Sequence, residues 1–140
     1  MIVRKKLVEL DVEEKEKINY LILSCFSNSR LETYDEIIYY LLEKHDNIIG
    51  FIGLNININF SFINQLCINS NYRNKGIATM LLKYAEDSLI TNLILYIDKN
   101  KNNTDKLYNF YVNRGYEEDK INCSLDKTKI EYKMIKYKYL

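Results

Sequence analysis

The stretch Leu66-Cys67-Ile68-Asn69-Ser70-Asn71-Tyr72-Arg73-Asn74-Lys75-Gly76-Ile77-Ala78-Thr79 decides the fold of this 140-residue chain. An apolar run ends at Ile68 and a polar turn follows. Apolar residues then return at helical spacing, at Ile77, Met80, Leu81, Tyr84, Ala85 and Leu89. The pattern is a buried strand turning directly into an amphipathic helix. The first amides of such a helix lack intrahelical partners and carry the positive end of its dipole. Gly76 and the small Ala78 let the backbone come close to a ligand, and Arg73 and Lys75 flank it. The turn is thus an anion nest that suits a pyrophosphate. Neither Gly-x-x-x-x-Gly-Lys-Ser/Thr nor Gly-x-Gly-x-x-Gly is present in it.

Upstream, residues 1–8 predict a strand. Asp11-Val12-Glu13-Glu14 is a capping box opening a helix over residues 11–26, with Ile18, Leu21, Ile22, Cys25 and Phe26 on one face. A break at Ser27-Asn28-Ser29 precedes a short helix over residues 31–36. Residues 37–44 are apolar in a way that suits helix or strand. The β-favouring Ile37, Ile38, Tyr39 and Tyr40 and a turn at Asp46-Asn47 favour strand. The next strand is the β-rich run Ile48–Leu54, which continues by strict alternation through Asn55-Ile56-Asn57-Ile58-Asn59, and another covers 62–68. Downstream come a strand over 93–97, a polar link over 98–103, a helix carrying Leu107, Phe110 and Tyr111 with Gly115 as its C′ cap, and two strands over 116–123 and 129–137. The order β-α-α-β-β-β-α-β-α-β-β predicts a mixed α/β fold. It has six to seven strands in one sheet, about four flanking helices, and one domain over residues 1–140.

Composition narrows the function. The net charge of +1 argues against nucleic-acid binding by bulk charge, and 47% hydrophobic with 28% charged residues is ordinary for a globular domain. Abundant Ile, Asn, Lys and Tyr with two Ala and no Pro or Trp fit a codon bias rather than a low-complexity function. The early charges Arg4, Lys5 and Lys6 and the short apolar runs predict neither a signal peptide nor a membrane span. Cys25, Cys67 and Cys123 are widely spaced and odd in number. This predicts reduced thiols in the cytoplasm and no zinc or other metal site. His45 is the one histidine and reads as a solvated hairpin residue.

Arg73-x-x-Gly76-x-Ala78 resembles the pyrophosphate motif of the GNAT superfamily of N-acetyltransferases, including the apolar strand five residues upstream and Leu81-Leu82 in the helix. Asp46-Asn47-Ile48-Ile49-Gly50-Phe51-Ile52 resembles the family hairpin. Phe110-Tyr111-Val112-Asn113-Arg114-Gly115-Tyr116 resembles its fourth-helix signature. The resemblance spans essentially the whole chain. It implies acetyl-CoA as cosubstrate and direct attack of an amine on the thioester. The backbone of Leu66, Cys67 and Ile68 would pair with the pantetheine, with an amide of Cys67 or Ile68 on the thioester oxygen. Arg73, Asn74, Lys75, Gly76, Ile77, Ala78 and Thr79 would hold the pyrophosphate. Tyr111 matches the family proton donor to the leaving thiolate, with Tyr108 one turn earlier as the alternative.

Two positions depart from the family. The strand before the turn, Phe62-Ile63-Asn64-Gln65-Leu66, lacks the carboxylate that serves many members as base. The amine would then arrive neutral or use Glu32 or Glu117. The 98–104 link is about three residues longer than usual, which leaves the family asparagine contact on Asn103 or Thr104. The acceptor, a small-molecule amine or a peptide or protein amine, would meet Ser27–Arg30 and the last strands, near Glu32, Asp35, Glu36 and Glu117-Glu118-Asp119. A homodimer is open to such a fold. Lys133, Lys136 and Lys138 read as protection of an edge strand.

Overall fold

The computed structural model describes residues 1–25, 37–99, 102–120 and 131–138. The predicted helix over 31–36, the segment Ser27–Arg30, Glu32, Asp35, Glu36 and Cys123 lie outside them. Seven strands hydrogen-bond in the order β1-β2-β3-β4-β5-β7-β6: β1 Ile2–Lys6, β2 Ile37–Lys44, β3 Asn47–Ile56, β4 Phe60–Ile68, β5 Asn92–Asp98, β6 Glu117–Glu118 and β7 Glu131–Lys136. Three α-helices are present among the described residues: α1 Val12–Cys25, α2 Ile77–Asp87 and α3 Thr104–Val112. The predicted mixed α/β sheet is the observed one. No described helix is long and apolar enough to cross a membrane. The chain divides into two compact units, Met1–Ile56 with Ile63–Ile90, and Asn57–Phe62 with Thr91–Leu140.

In the first unit, β1, β2 and β3 form an antiparallel meander, with Val3 opposite Leu41 and Tyr40 opposite Ile52. Residues 37–42 of β2 are all buried, because helices cover both faces. Tyr39 packs edge-on to Phe51 within the layer under α1, formed by Ile18, Leu21 and Ile22 against Ile37, Leu41 and Ile48. Its neighbour Tyr40 meets Tyr84 of α2, and its hydroxyl is 2.8 Å from that of Ser88. Two-sided burial removes the alternation, so this strand reads as a plain apolar run.

The capping box is formed. The Glu14 amide donates to Asp11 Oδ1 at 2.7 Å, and the Asp11 amide to Glu14 Oε1 at 3.0 Å. Lys5 Nζ reaches Glu14 Oε2 at 2.6 Å, tying β1 to α1. Three boundaries differ from expectation. Leu7–Glu9 is a 3-10 turn rather than strand, since i,i+3 spacing buries Leu7 and Leu10 together. The β2–β3 turn is His45-Asp46, both at positive φ, one residue before the predicted one; His45 is exposed there. The alternation through Asn59 breaks after Ile56, where the Asn57 amide donates to the Phe60 carbonyl and Ile58 is left exposed.

In the second unit, β5 pairs with the start of β4 in parallel and with β7 antiparallel. The α3 terminus is a Schellman motif. Gly115 (φ 91°) donates to Val112 O at 3.1 Å and Tyr116 to Tyr111 O at 3.0 Å, while the Tyr111 and Tyr116 rings meet at 5.3 Å. Gly115 is therefore the C′ residue, as predicted. Lys133 and Lys136 are not edge protection, because β7 lies between β5 and β6, and Lys138 lies past the end of β7. Lys133 pairs with Asp119 at 3.5 Å, and Lys136 donates to the Arg114 carbonyl at 2.8 Å.

The expectation of three reduced thiols is overturned. Cys25 at the end of α1 and Cys67 in β4 form a disulfide, with Cα atoms 6.1 Å apart. Helix α1 lies over the β4 end of the sheet, so the fold unites two cysteines that no spacing rule connects. A bridge across 42 residues stabilises by roughly 3–5 kcal/mol in the chain-entropy account. Thiol titration of the denatured, non-reduced chain should therefore find one thiol per chain, rising to three with reductant. Three thiols without reductant would show that the bond is not made.

Candidate active site

The turn between β4 and α2 is built almost wholly from backbone. Asn69 closes its first half: its Oδ1 accepts from the Asn71 amide at 2.9 Å and its carbonyl from the Tyr72 amide at 2.9 Å. Asn74 (φ 63°) and Gly76 (φ 78°) are left-handed, and this pair reverses the chain so that α2 starts at once. Gly76 is the N-cap of α2 and supplies no side-chain cap. A Cβ built at Gly76 meets nothing within 4 Å, so the space over the helix start is open. Arg73, Asn74, Lys75 and Gly76 are exposed, and Ile77, Ala78 and Thr79 partly so.

Arg73 does not stand free beside this opening. Its Nε donates to the Ile68 carbonyl at 3.1 Å and its Nη2 lies 3.4 Å from the bridged Cys25 Sγ. The guanidinium thus braces the exit of β4 against the end of α1. Lys75 Nζ stands 5.5 Å from the Tyr72 ring centroid, and Lys44, which the sequence does not single out, stands 5.6 Å from the same ring.

The β4 ladder with β5 takes in Phe60, Ser61 and Phe62 and ends there, while β4 itself runs on to Ile68. Leu66, Cys67 and Ile68 therefore lie beyond the last paired residue. Cys67 is buried and disulfide-bonded, so it is no nucleophile. Gln65, at the position of the family carboxylate, is 7% exposed.

In the second unit, Tyr111 is 6% exposed and enclosed by Phe110 and Tyr116. Burial pushes its phenol pKa well above the ordinary value, against a small opposing effect of Arg114. Tyr108 is half-buried, edge-on to Tyr132, and donates to Glu118 Oε2 at 3.2 Å. Burial, then the Glu118 charge, raises its pKa too. Both phenols hold their protons at neutral pH. The Thr104 hydroxyl donates to the Asp98 carbonyl at 2.6 Å and closes the 98–104 link; Asn103, the N-cap of α3, is exposed. Of the predicted acidic rim, Glu118 and Asp119 are engaged with Tyr108 and Lys133, and Glu117 is exposed.

The Tyr111 shift carries a pH consequence. Its folded pKa lies above the unfolded value of about 10, so its contribution to stability is complete below that pH. It is lost as pH rises further, by at most about 1.4 kcal/mol per pH unit. Urea midpoints between pH 9 and 11 should fall less steeply for Tyr111→Phe than for wild type. Equal slopes would mean that Tyr111 titrates normally in the folded chain.

The sequence model described as the acetyltransferase (GNAT) family matches residues 6–116. The aminoglycoside 6′-N-acetyltransferase of Enterococcus faecium superposes with a TM-score of 0.74 at 18% identity, over 99% of this chain and 98% of that one. The PaiA N-acetyltransferase of Thermoplasma acidophilum, in complex with coenzyme A, gives 0.71 at 19% identity, over 98% and 99%. The ribosomal-protein-S18-alanine N-acetyltransferase of Escherichia coli gives 0.70 at 12% identity, over 100% and 96%. No curated protein matches significantly by sequence. The family match takes in well over half the chain, including the glycine-headed start of α2, and the chain belongs to the acetyltransferase (GNAT) family.

Proposed function

We propose that residues 1–140 act as one domain that transfers the acetyl group of acetyl-CoA to a primary amine by direct attack through a tetrahedral intermediate. The observation that carries this reading is the open, glycine-headed start of α2 directly after β4. Coenzyme A, present in the complex of the similar PaiA enzyme, has a pyrophosphate that fits it. Amides of residues 74–79 would bind that group. The backbone of Leu66 and Cys67 would pair with the pantetheine. Ile68 is a poorer partner through its carbonyl, which Arg73 already occupies. Arg73 then acts chiefly by holding the strand exit, with its charge near the phosphates.

An amide of Cys67 or Ile68 would stabilise the oxyanion. As the C–S bond breaks, the thiolate takes a proton from Tyr111 or Tyr108, or from solvent; Asn103 or Thr104 would contact coenzyme A. A raised phenol pKa keeps the donor protonated but makes the transfer less favourable. With Gln65 at the usual base position, the amine would enter neutral or lose its proton to Glu117 or to water. The similar structures include an aminoglycoside 6′-N-acetyltransferase and a ribosomal-protein-S18-alanine N-acetyltransferase, so the acceptor proposed here is an amine of a small molecule or of a peptide or protein. The absence of a carboxylate from Phe62-Ile63-Asn64-Gln65-Leu66 also favours a second reading, a module that holds acyl-CoA or a partner without catalysis.

Acetyl-CoA should raise the Tm of the wild type. Gly76→Asp should abolish that shift by placing a negative charge on the nest; the φ of 78° strains any side chain there, so a melt without ligand checks that the variant folds. An unchanged shift in the folded variant would refute the phosphate assignment. Release of CoA thiol across a panel of amines separates turnover from binding alone.

On an amine that turns over, Tyr111→Phe should cut kcat by ~10²–10⁴ with little change in acetyl-CoA affinity if Tyr111 is the acid. A loss confined to Tyr108→Phe moves the role to Tyr108. Near-normal kcat in both assigns protonation to solvent and leaves catalysis to proximity and the oxyanion amide.

A further inference from the structure

Lys44 ends β2, 28 residues before Tyr72 in sequence, yet its ammonium stands 5.6 Å from the Tyr72 ring centroid. Lys75 Nζ stands 5.5 Å from the same centroid. Both lysines are exposed, and among the described residues neither pairs with a carboxylate. Tyr72 is half-buried, and its amide donates to the Asn69 carbonyl, which holds the backbone that carries the ring. The third cation of the turn, Arg73, is engaged with Ile68 and Cys25. Two unpaired ammonium groups around one ring repel each other. The negative face of the ring offsets part of that repulsion, and a bound dianion would offset more.

The chemistry of the cosubstrate supplies such a dianion. Coenzyme A carries a pyrophosphate and, separately, a phosphomonoester on its ribose. In the reading proposed above, the α2 amides would meet the first with neutral donors, which would leave the second in need of a counter-charge. We propose that Lys44 and Lys75, gathered on Tyr72, form the subsite for the ribose phosphomonoester of coenzyme A. This inference rests on the reading of the chain as an acetyl-CoA enzyme and adds how it tells coenzyme A from the form lacking that phosphate. Lys75 adjoins the nest in sequence; Lys44 is recruited by the fold alone.

The test compares Kd for coenzyme A and for 3′-dephospho-coenzyme A in wild type, Lys44→Gln and Lys44→Arg, with a thermal melt to check folding. Wild type should prefer coenzyme A. Lys44→Gln should lose about five- to tenfold in affinity for coenzyme A and change little toward the dephospho form, as expected for one or two exposed charge contacts. Lys44→Arg should restore most of the preference, and added salt should shrink it. Equal weakening toward both ligands would put Lys44 on the pyrophosphate and overturn the subsite. No weakening toward either would overturn it as well. Wild type binding neither ligand would refute the acetyl-CoA reading itself, an outcome distinct from both.

Discussion

Everything at the candidate site follows from how abruptly the chain must turn between β4 and α2. A buried strand ends at Ile68 and a helix begins at Ile77. The turn closes only because Asn74 and Gly76 take left-handed backbone angles. Asparagine tolerates that region through its short polar side chain, and glycine has no Cβ to resist it. The same choice that lets the chain turn also removes any side chain from the helix start. An anion-seeking surface is therefore a by-product of the backbone geometry, and the charged residues around it only tune it.

The bracing of that turn is distributed. Arg73 reaches back to the Ile68 carbonyl and to Cys25, and Cys25 is bonded to Cys67 one residue before Ile68. Strand exit, helix end and guanidinium thus form a closed loop of contacts. One residue of β4 is used in two senses: the Cys67 side chain is locked into the α1 layer, while its backbone belongs to the strand end beyond the β5 ladder. Gly50 supports the arrangement, since a Cβ there would lie 2.7 Å from Ile68 Cδ1 and 3.2 Å from the Cys67 carbonyl. A side chain on β3 would push on the strand end itself.

What was legible in the sequence is what short-range chemistry decides. The capping box at Asp11 and Glu14, the glycines at 76 and 115, and the strand-to-helix switch at 68–77 each announce themselves within a few residues. The β2 segment was legible only as an apolar run, because coverage by α1 and α2 erased its period. The pairing of Cys25 with Cys67 and the approach of Lys44 to Tyr72 were not legible, since each joins residues that only tertiary structure makes neighbours. The turn at His45-Asp46 was misplaced by one residue because positive φ at both positions overrode the preference for Asn. Tyr111 was placed on the right helix, but its enclosure by Phe110 and Tyr116, and hence its raised pKa, depends on packing that no periodicity reveals.

The place of β7 in the strand order bears on how the protein is made. Synthesis delivers β5 first, then α3 and β6, and only then β7, which must enter between β5 and β6. Until it does, one edge of β5 has no partner, and Leu93, Leu95 and Ile97 depend on a layer that is still incomplete. Chains emerge at about 5–20 residues per second, so this open edge persists for seconds on the ribosome, a long time beside hairpin formation. An unpaired apolar strand is the feature most prone to capture by another chain. Nascent chains stalled before residue 131 should thus be the aggregation-prone species, even where the finished protein is well behaved.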